Sequence, residues 1–62
     1  MPETSNHAAS YTVLYRADIN FPWTHGRSYL SAITAVTVAE AMRDAGYEAG
    51  VWNDLTSKWL EV

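Results

Sequence analysis

Cysteine is absent from the 62 residues. That excludes a disulfide framework and any thiolate metal site. Histidine is scarce: His7 and His25 lack the neighbouring carboxylate pattern of a metal centre, so surface histidines are expected and no metal or other cofactor is. Basic residues are few, with Arg16, Arg27, Arg43 and Lys58 scattered along the chain. They form no phosphate-binding stripe, so direct nucleic-acid binding is not expected. No apolar run approaches the roughly 20 residues of a membrane span. Met1–Ser10 has neither the basic nor the apolar region of a signal peptide. No membrane contact and a cytoplasmic location are the resulting expectations.

What is present points to a folded unit. Hydrophobic residues make up 48% of the chain, which argues against disorder. A chain this short buries only about 60% of its unfolded surface. With disulfides and metals excluded, oligomerisation is the remaining stabilising supplement. Three Trp and four Tyr are many for this length, and such residues dominate cores and interfaces. The formal charge is −3, with the acidic excess in residues 40–62.

The chain divides into a polar arm, residues 1–10, and a single α+β domain, residues 11–62. Tyr11–Ile19 alternates Tyr11, Val13, Tyr15, Ala17 and Ile19 with Thr12, Leu14, Arg16 and Asp18, the pattern of a half-buried strand. Leu14 is the apolar exception on the polar side. Asn20–Arg27 holds Pro22 and Gly26 and reads as the connection to a helix. Phe21 and Trp23 in that connection either fold over the open end of the core or form a binding lip. The helix is expected over Ser28–Ala45, capped by Thr24 or Ser28 and stopped by Gly46. Its expected core stripe is Leu30, Thr34, Val38, Ala41, Met42 and Ala45. Tyr29, Ile33 and Val36 fall on the far side, so the first half of the helix is apolar nearly all round.

Tyr47–Asp54 and Ser57–Val62 read as a hairpin with a two-residue loop at Leu55–Thr56. Trp52 then pairs with Trp59, Val51 with Leu60 and Ala49 with Val62. Tyr47, Ala49, Val51, Leu60 and Val62 share the core face. Glu48, Trp52, Trp59 and Glu61 share the other. The predicted architecture is a β-α-β-β unit, one helix packed on one face of a three-stranded sheet.

Candidate chemistry is thin. His25-Gly26-Arg27-Ser28 could bind a small ligand or anion at a helix start, but it also reads as a loop and cap. Ser28, His25 and Asp18 or Asp54 contain the residue types of a hydrolase triad, which geometry alone can establish. Asp18, Glu48 and Glu61 could pair as in a glycosidase, yet one helix on three strands offers little cleft. A non-enzymatic protein is expected.

The order β-α-β-β, with a helix ending before Gly46-Tyr47 and a Trp-bearing final strand, resembles the first half of a SPOR domain. The resemblance is one of topology over Tyr11–Val62. It implies a glycan-binding sheet surface, without that family's second helix and fourth strand. The short, acidic, Trp-rich, cysteine-free chain is also similar to the small accessory proteins of phages and mobile elements. The expected function is therefore a self-associating adaptor acting on a host or partner protein. Its interaction residues are Trp52, Trp59 and Leu14 on the sheet, with Tyr29, Ile33 and Val36 on the helix. The alternative is a small-ligand binder using Phe21, Trp23, His25 and Arg27, with a small enzyme as a third reading.

Overall fold

Gly46 ends the helix as its position predicts. It adopts a φ of 104°, its N–H donates to the Arg43 carbonyl, and the Tyr47 N–H donates to the Met42 carbonyl. These two bonds are a Schellman closure, which needs a residue in the left-handed region just past the helix. A computed structural model describes residues 10–60. Over that range the chain runs β1 (Tyr11–Arg16), β2 (Thr24–Tyr29), α1 (Ala32–Asp44), β3 (Glu48–Asn53) and β4 (Lys58–Trp59).

The fold is α+β, with one helix on a four-stranded sheet of order β2-β1-β3-β4. The sheet gains one strand over the three expected. That strand, β2, takes the second half of the segment read as a connection and the first two residues read as helix, and the order β-β-α-β-β departs from the SPOR-like arrangement. β2 and β3 each pair antiparallel with β1. They are therefore parallel to each other, and α1 is the crossover between them.

Several boundaries move with the extra strand. The helix begins at Ala32 rather than Ser28. Ser31 is the N-cap, and its hydroxyl accepts from the Thr34 N–H, so neither Thr24 nor Ser28 has that role. Tyr29 lies on β2, not on the helix. The first strand ends at Arg16, and Ile19 is exposed beyond it. Ser10, assigned to the arm, is tied to the sheet: its N–H donates to the Tyr29 carbonyl and its carbonyl accepts from Asp54. Residues 1–9, His7 among them, lie outside the described residues, as do Glu61 and Val62.

The core is built from Val13 and Val51, directly opposite on β1 and β3, beneath Ala35 and Ala39 of the helix. Both alanines are fully buried. Their small side chains let the helix approach the sheet closely. The buried helix face is thus rotated by roughly a quarter turn from the predicted Leu30-to-Ala45 stripe. Val38 and Met42 remain half-buried at its border, and Leu30 is exposed before the helix starts.

The C-terminal hairpin keeps the predicted register, with Trp52 opposite Trp59 and the Leu60 N–H donating to the Val51 carbonyl. Its turn is longer than the expected two residues. The Ser57 N–H donates to the Asn53 carbonyl. Asn53 Oδ1 accepts from the Leu55 and Thr56 N–H groups, and Ser57 takes a positive φ of 58°. Asparagine suits this role because its side chain mimics a backbone acceptor.

Candidate functional site

Period-two alternation along β1 sends Val13 toward the helix and Thr12, Leu14 and Arg16 to the opposite sheet face. Thr12 and Leu14 are both buried there. On β3 and β4 the same face presents Trp52 and Trp59. Their rings meet edge to face, with centroids 5.4 Å apart and planes at 90°. Trp23, just before β2, folds back onto Trp59 at 5.3 Å with planes inclined by 56°. The Arg16 guanidinium lies 4.1 Å over the Trp23 ring. Its Nε donates to Glu48 Oε1 at 2.7 Å, across the register pair that links β1 to β3.

Gly50 makes room for a tryptophan ring on this surface. A Cβ at position 50 would stand 2.9 Å from Trp59 Cζ3, so the bare backbone is the floor under that ring. Gly26 has a related role on the neighbouring strand. Two residues of β2, Gly26 and Arg27, oppose Val13, because Thr12 pairs with Ser28 and Leu14 with His25. A Cβ on Gly26 would come within 3.0 Å of the Val13 carbonyl oxygen. The bulge shifts the register of β2 and places His25 beside Leu14.

The resulting concavity has a volume of about 410 Å³. Leu14 and Thr12 form its base, the Trp23, Trp52 and Trp59 rings its walls, and His25 and Asp54 its polar edge. Asp54 is fixed by a side-chain relay. The Thr12 hydroxyl donates to Asp54 Oδ2 at 2.8 Å, which leaves the Ser28 hydroxyl as donor to Thr12 Oγ1 at 2.7 Å. This relay satisfies the buried threonine.

Two residue sets that the sequence suggests separately are thereby joined. Leu14, Trp52 and Trp59 come from the expected sheet patch, and Trp23 and His25 from the expected ligand loop. Phe21 lies apart, in a smaller depression of about 300 Å³ with Tyr15, Arg16 and Tyr47. Arg27 is exposed on β2. Tyr29, Ile33 and Val36 do not form one surface. Tyr29 packs on the core from β2 and Val36 from the helix, and Val36 also lines a groove with the exposed Ile33, Ala32, Thr37 and Leu60. Asp54 and Thr12 are the residues that sequence reasoning missed as a pair. They lie 42 positions apart, and nothing local signals their contact.

Ser28 and Asp54 bond to Thr12 rather than to His25, so the triad types are not arranged as one. Among the described residues no group of three or more His, Asp or Glu could hold a metal ion. No helix among them is long and apolar enough to cross a membrane.

Over 61 residues, 98% of its length, the chain is 35% identical to the A subunit of the A-type ATP synthase of Methanocorpusculum labreanum. It is equally similar to the V-type ATP synthase alpha chain 2 of Clostridium tetani and to the A subunit of the A-type ATP synthase of Halobacterium salinarum. The match covers 10% of each of these proteins, so the chain spans about a tenth of the length of the curated relatives it matches. No family model and no solved structure matches it. The similarity to ATP synthase subunits, repeated in several organisms, overturns the reading as a phage-type adaptor acting on a host protein.

Proposed function

We propose that this chain is a module related to these A-type and V-type ATP synthase subunits, and that it works inside a multi-subunit assembly rather than as an enzyme on its own. The observation that carries this reading is the 35% identity over almost the whole chain to subunits of that kind. Because a tenth of such a protein is matched, the isolated chain is expected to turn over no ATP.

The surface suited to assembly is the flank of the helix beside Leu60. Ile33 is 79% exposed there, and with Val36 and Leu60 it lines an apolar groove of about 280 Å³. Apolar surface of this kind is usually covered by a neighbouring element. In the proposed setting that element belongs to the remainder of an ATP synthase-like polypeptide.

The test is a graft. The matching stretch of the Methanocorpusculum labreanum protein is replaced by this chain, and the hybrid is co-expressed with its partner subunits. A hybrid that folds and is recovered in the assembled complex supports the proposal. A hybrid excluded from the complex, while the unmodified parent enters it under the same conditions, refutes it.

A further inference from the structure

The tryptophan-walled concavity on the sheet has a chemistry that the assembly reading leaves unused. Its ring planes meet at 90° and 56°. A flat heteroaromatic ligand stacks best on a parallel ring face, and inclined walls offer it only one. A rounded group touches several inclined faces at once. The negative faces of indole rings attract cations, and tryptophan does so most strongly. The cluster already engages one, since the Arg16 guanidinium lies 4.1 Å from the centre of the Trp23 ring.

Charge agrees with shape. The lining includes the Asp54 carboxylate and neither Lys nor Arg. The Thr12 hydroxyl holds Asp54 Oδ2 at 2.8 Å, so the negative charge has a fixed place at the edge of the aromatic walls. An anion would meet the carboxylate and the negative ring faces together. The volume of about 410 Å³ falls at the small end of the range of small-molecule sites. We propose that this pocket binds a small, free quaternary ammonium ion, with its alkyl groups against the Trp23, Trp52 and Trp59 rings and its charge facing Asp54.

The experiment is an NMR titration of the full-length ¹⁵N-labelled chain, following the tryptophan indole N–H signals at constant ionic strength. The probes are tetramethylammonium chloride, choline chloride and 3,3-dimethylbutan-1-ol, the uncharged isostere of choline. The three indole signals should follow one saturable isotherm with either ammonium salt, with a dissociation constant on the order of 1 mM. The neutral isostere should bind at least about tenfold more weakly.

Asp54→Asn keeps an acceptor for Thr12 but removes the charge, and should weaken binding about fivefold. Trp23→Leu lies outside the strands and should abolish saturation while the amide spectrum stays dispersed. Equal binding of choline and its isostere would overturn the proposal in favour of a merely apolar pocket. Linear, non-saturating shifts with both salts would overturn it outright, as would an Asp54→Asn variant that binds as the parent does.

Discussion

Gly50→Ala is the most direct probe of the aromatic face. The new Cβ would lie 2.9 Å from Trp59 Cζ3 and 3.2 Å from Cε3. Carbon atoms are most stable about 3.5–4.0 Å apart, so something must move by roughly 0.5–1 Å. The ring moves rather than the strand. Gly50 lies on β3, paired on both sides, whereas Trp59 is 43% exposed on the two-residue edge strand β4. Displacing that ring loosens its contacts with both Trp23 and Trp52. Each aromatic pair contributes about 0.5–1.5 kcal/mol beyond area burial, and partial loss of both costs about 1 kcal/mol. Restricting the unfolded chain returns about 0.4–1 kcal/mol. The net change in stability is therefore at most about 1 kcal/mol, or a fall in Tm of less than about 8 °C. The change in geometry is much larger than the change in energy. Near-ultraviolet circular dichroism, which reports coupled indoles, should lose most of its amplitude in Gly50→Ala. Gly46→Ala is the opposite case. Nothing lies within 4 Å of a Cβ there, but φ is 104°. The cost is backbone strain of about 1–2 kcal/mol, with the indole signal intact. A Gly50→Ala spectrum that superimposes on the parent would refute the placement of Trp59 on the Gly50 backbone.

Other substitutions test the core and the polar relay. Ala39→Leu should overpack the helix–sheet contact and destabilise by about 2 kcal/mol, whereas Ala45→Leu, exposed at the helix end, should stay within about 0.5 kcal/mol. Equal thermal melts would mean that the helix buries a different face. Thr12→Val preserves shape but removes the hydroxyl between Ser28 and Asp54, and should cost about 1 kcal/mol in urea unfolding. No change in midpoint would show that the relay contributes nothing to folding.

The sheet was legible where side chains alternate and illegible where they do not. The Trp52–Trp59 pairing was expected from a loop centred on Leu55–Thr56, and the longer turn that forms has the same centre, so the register survives; alternation then puts Val51 and Leu60 on one face and the tryptophans on the other. β2 reads Thr-His-Gly-Arg-Ser-Tyr, and only Tyr29 is even half-buried. It is an edge strand held by backbone pairing with β1, so no apolar pattern announces it. The helix face was misplaced for a related reason. Large residues such as Leu30 dominate a hydrophobic stripe, yet the positions nearest the sheet are Ala35 and Ala39. Close approach selects small side chains there, and hydrophobicity alone does not reveal it. Trp23 was legible as an apolar residue in a connection, but instead of folding over an open end of the core it packs on Trp59, on the sheet face away from the helix. Which face it covers depends on the bulge at Gly26–Arg27, a feature of register rather than composition.

The two faces of the sheet place opposite demands on their surroundings. From the sequence, an uncovered tryptophan face is the reason to expect a partner. In the folded chain the tryptophans cover part of one another, and Trp59 stays 43% exposed. Trp23 and Trp52 both contact Trp59, and the aliphatic stem of Arg16 ends in a guanidinium over Trp23. Such contacts shield indole surface without a second molecule. On the face that Val13 shares, Tyr15 and Tyr47 meet edge to face with centroids 5.7 Å apart, but the apolar residues at the start of the helix have no such cover. The buried set on this face is two valines and two alanines, and burying a valine contributes only about 1.5–3 kcal/mol. Leu30 and Ile33 meanwhile stay 68% and 79% exposed at the start of the helix. Apolar surface is therefore left uncovered beside the helix, and covering it would stabilise the small core beneath it. The proposed assembly therefore uses the flank of the helix, and the proposed ammonium ligand the sheet side. Ile33→Lys should accordingly block association while leaving the indole titration unchanged, and Asp54→Asn should do the reverse. Sedimentation velocity and the ammonium titration, run on both variants, measure the two effects independently. A single variant that abolished both would show that one surface serves both roles.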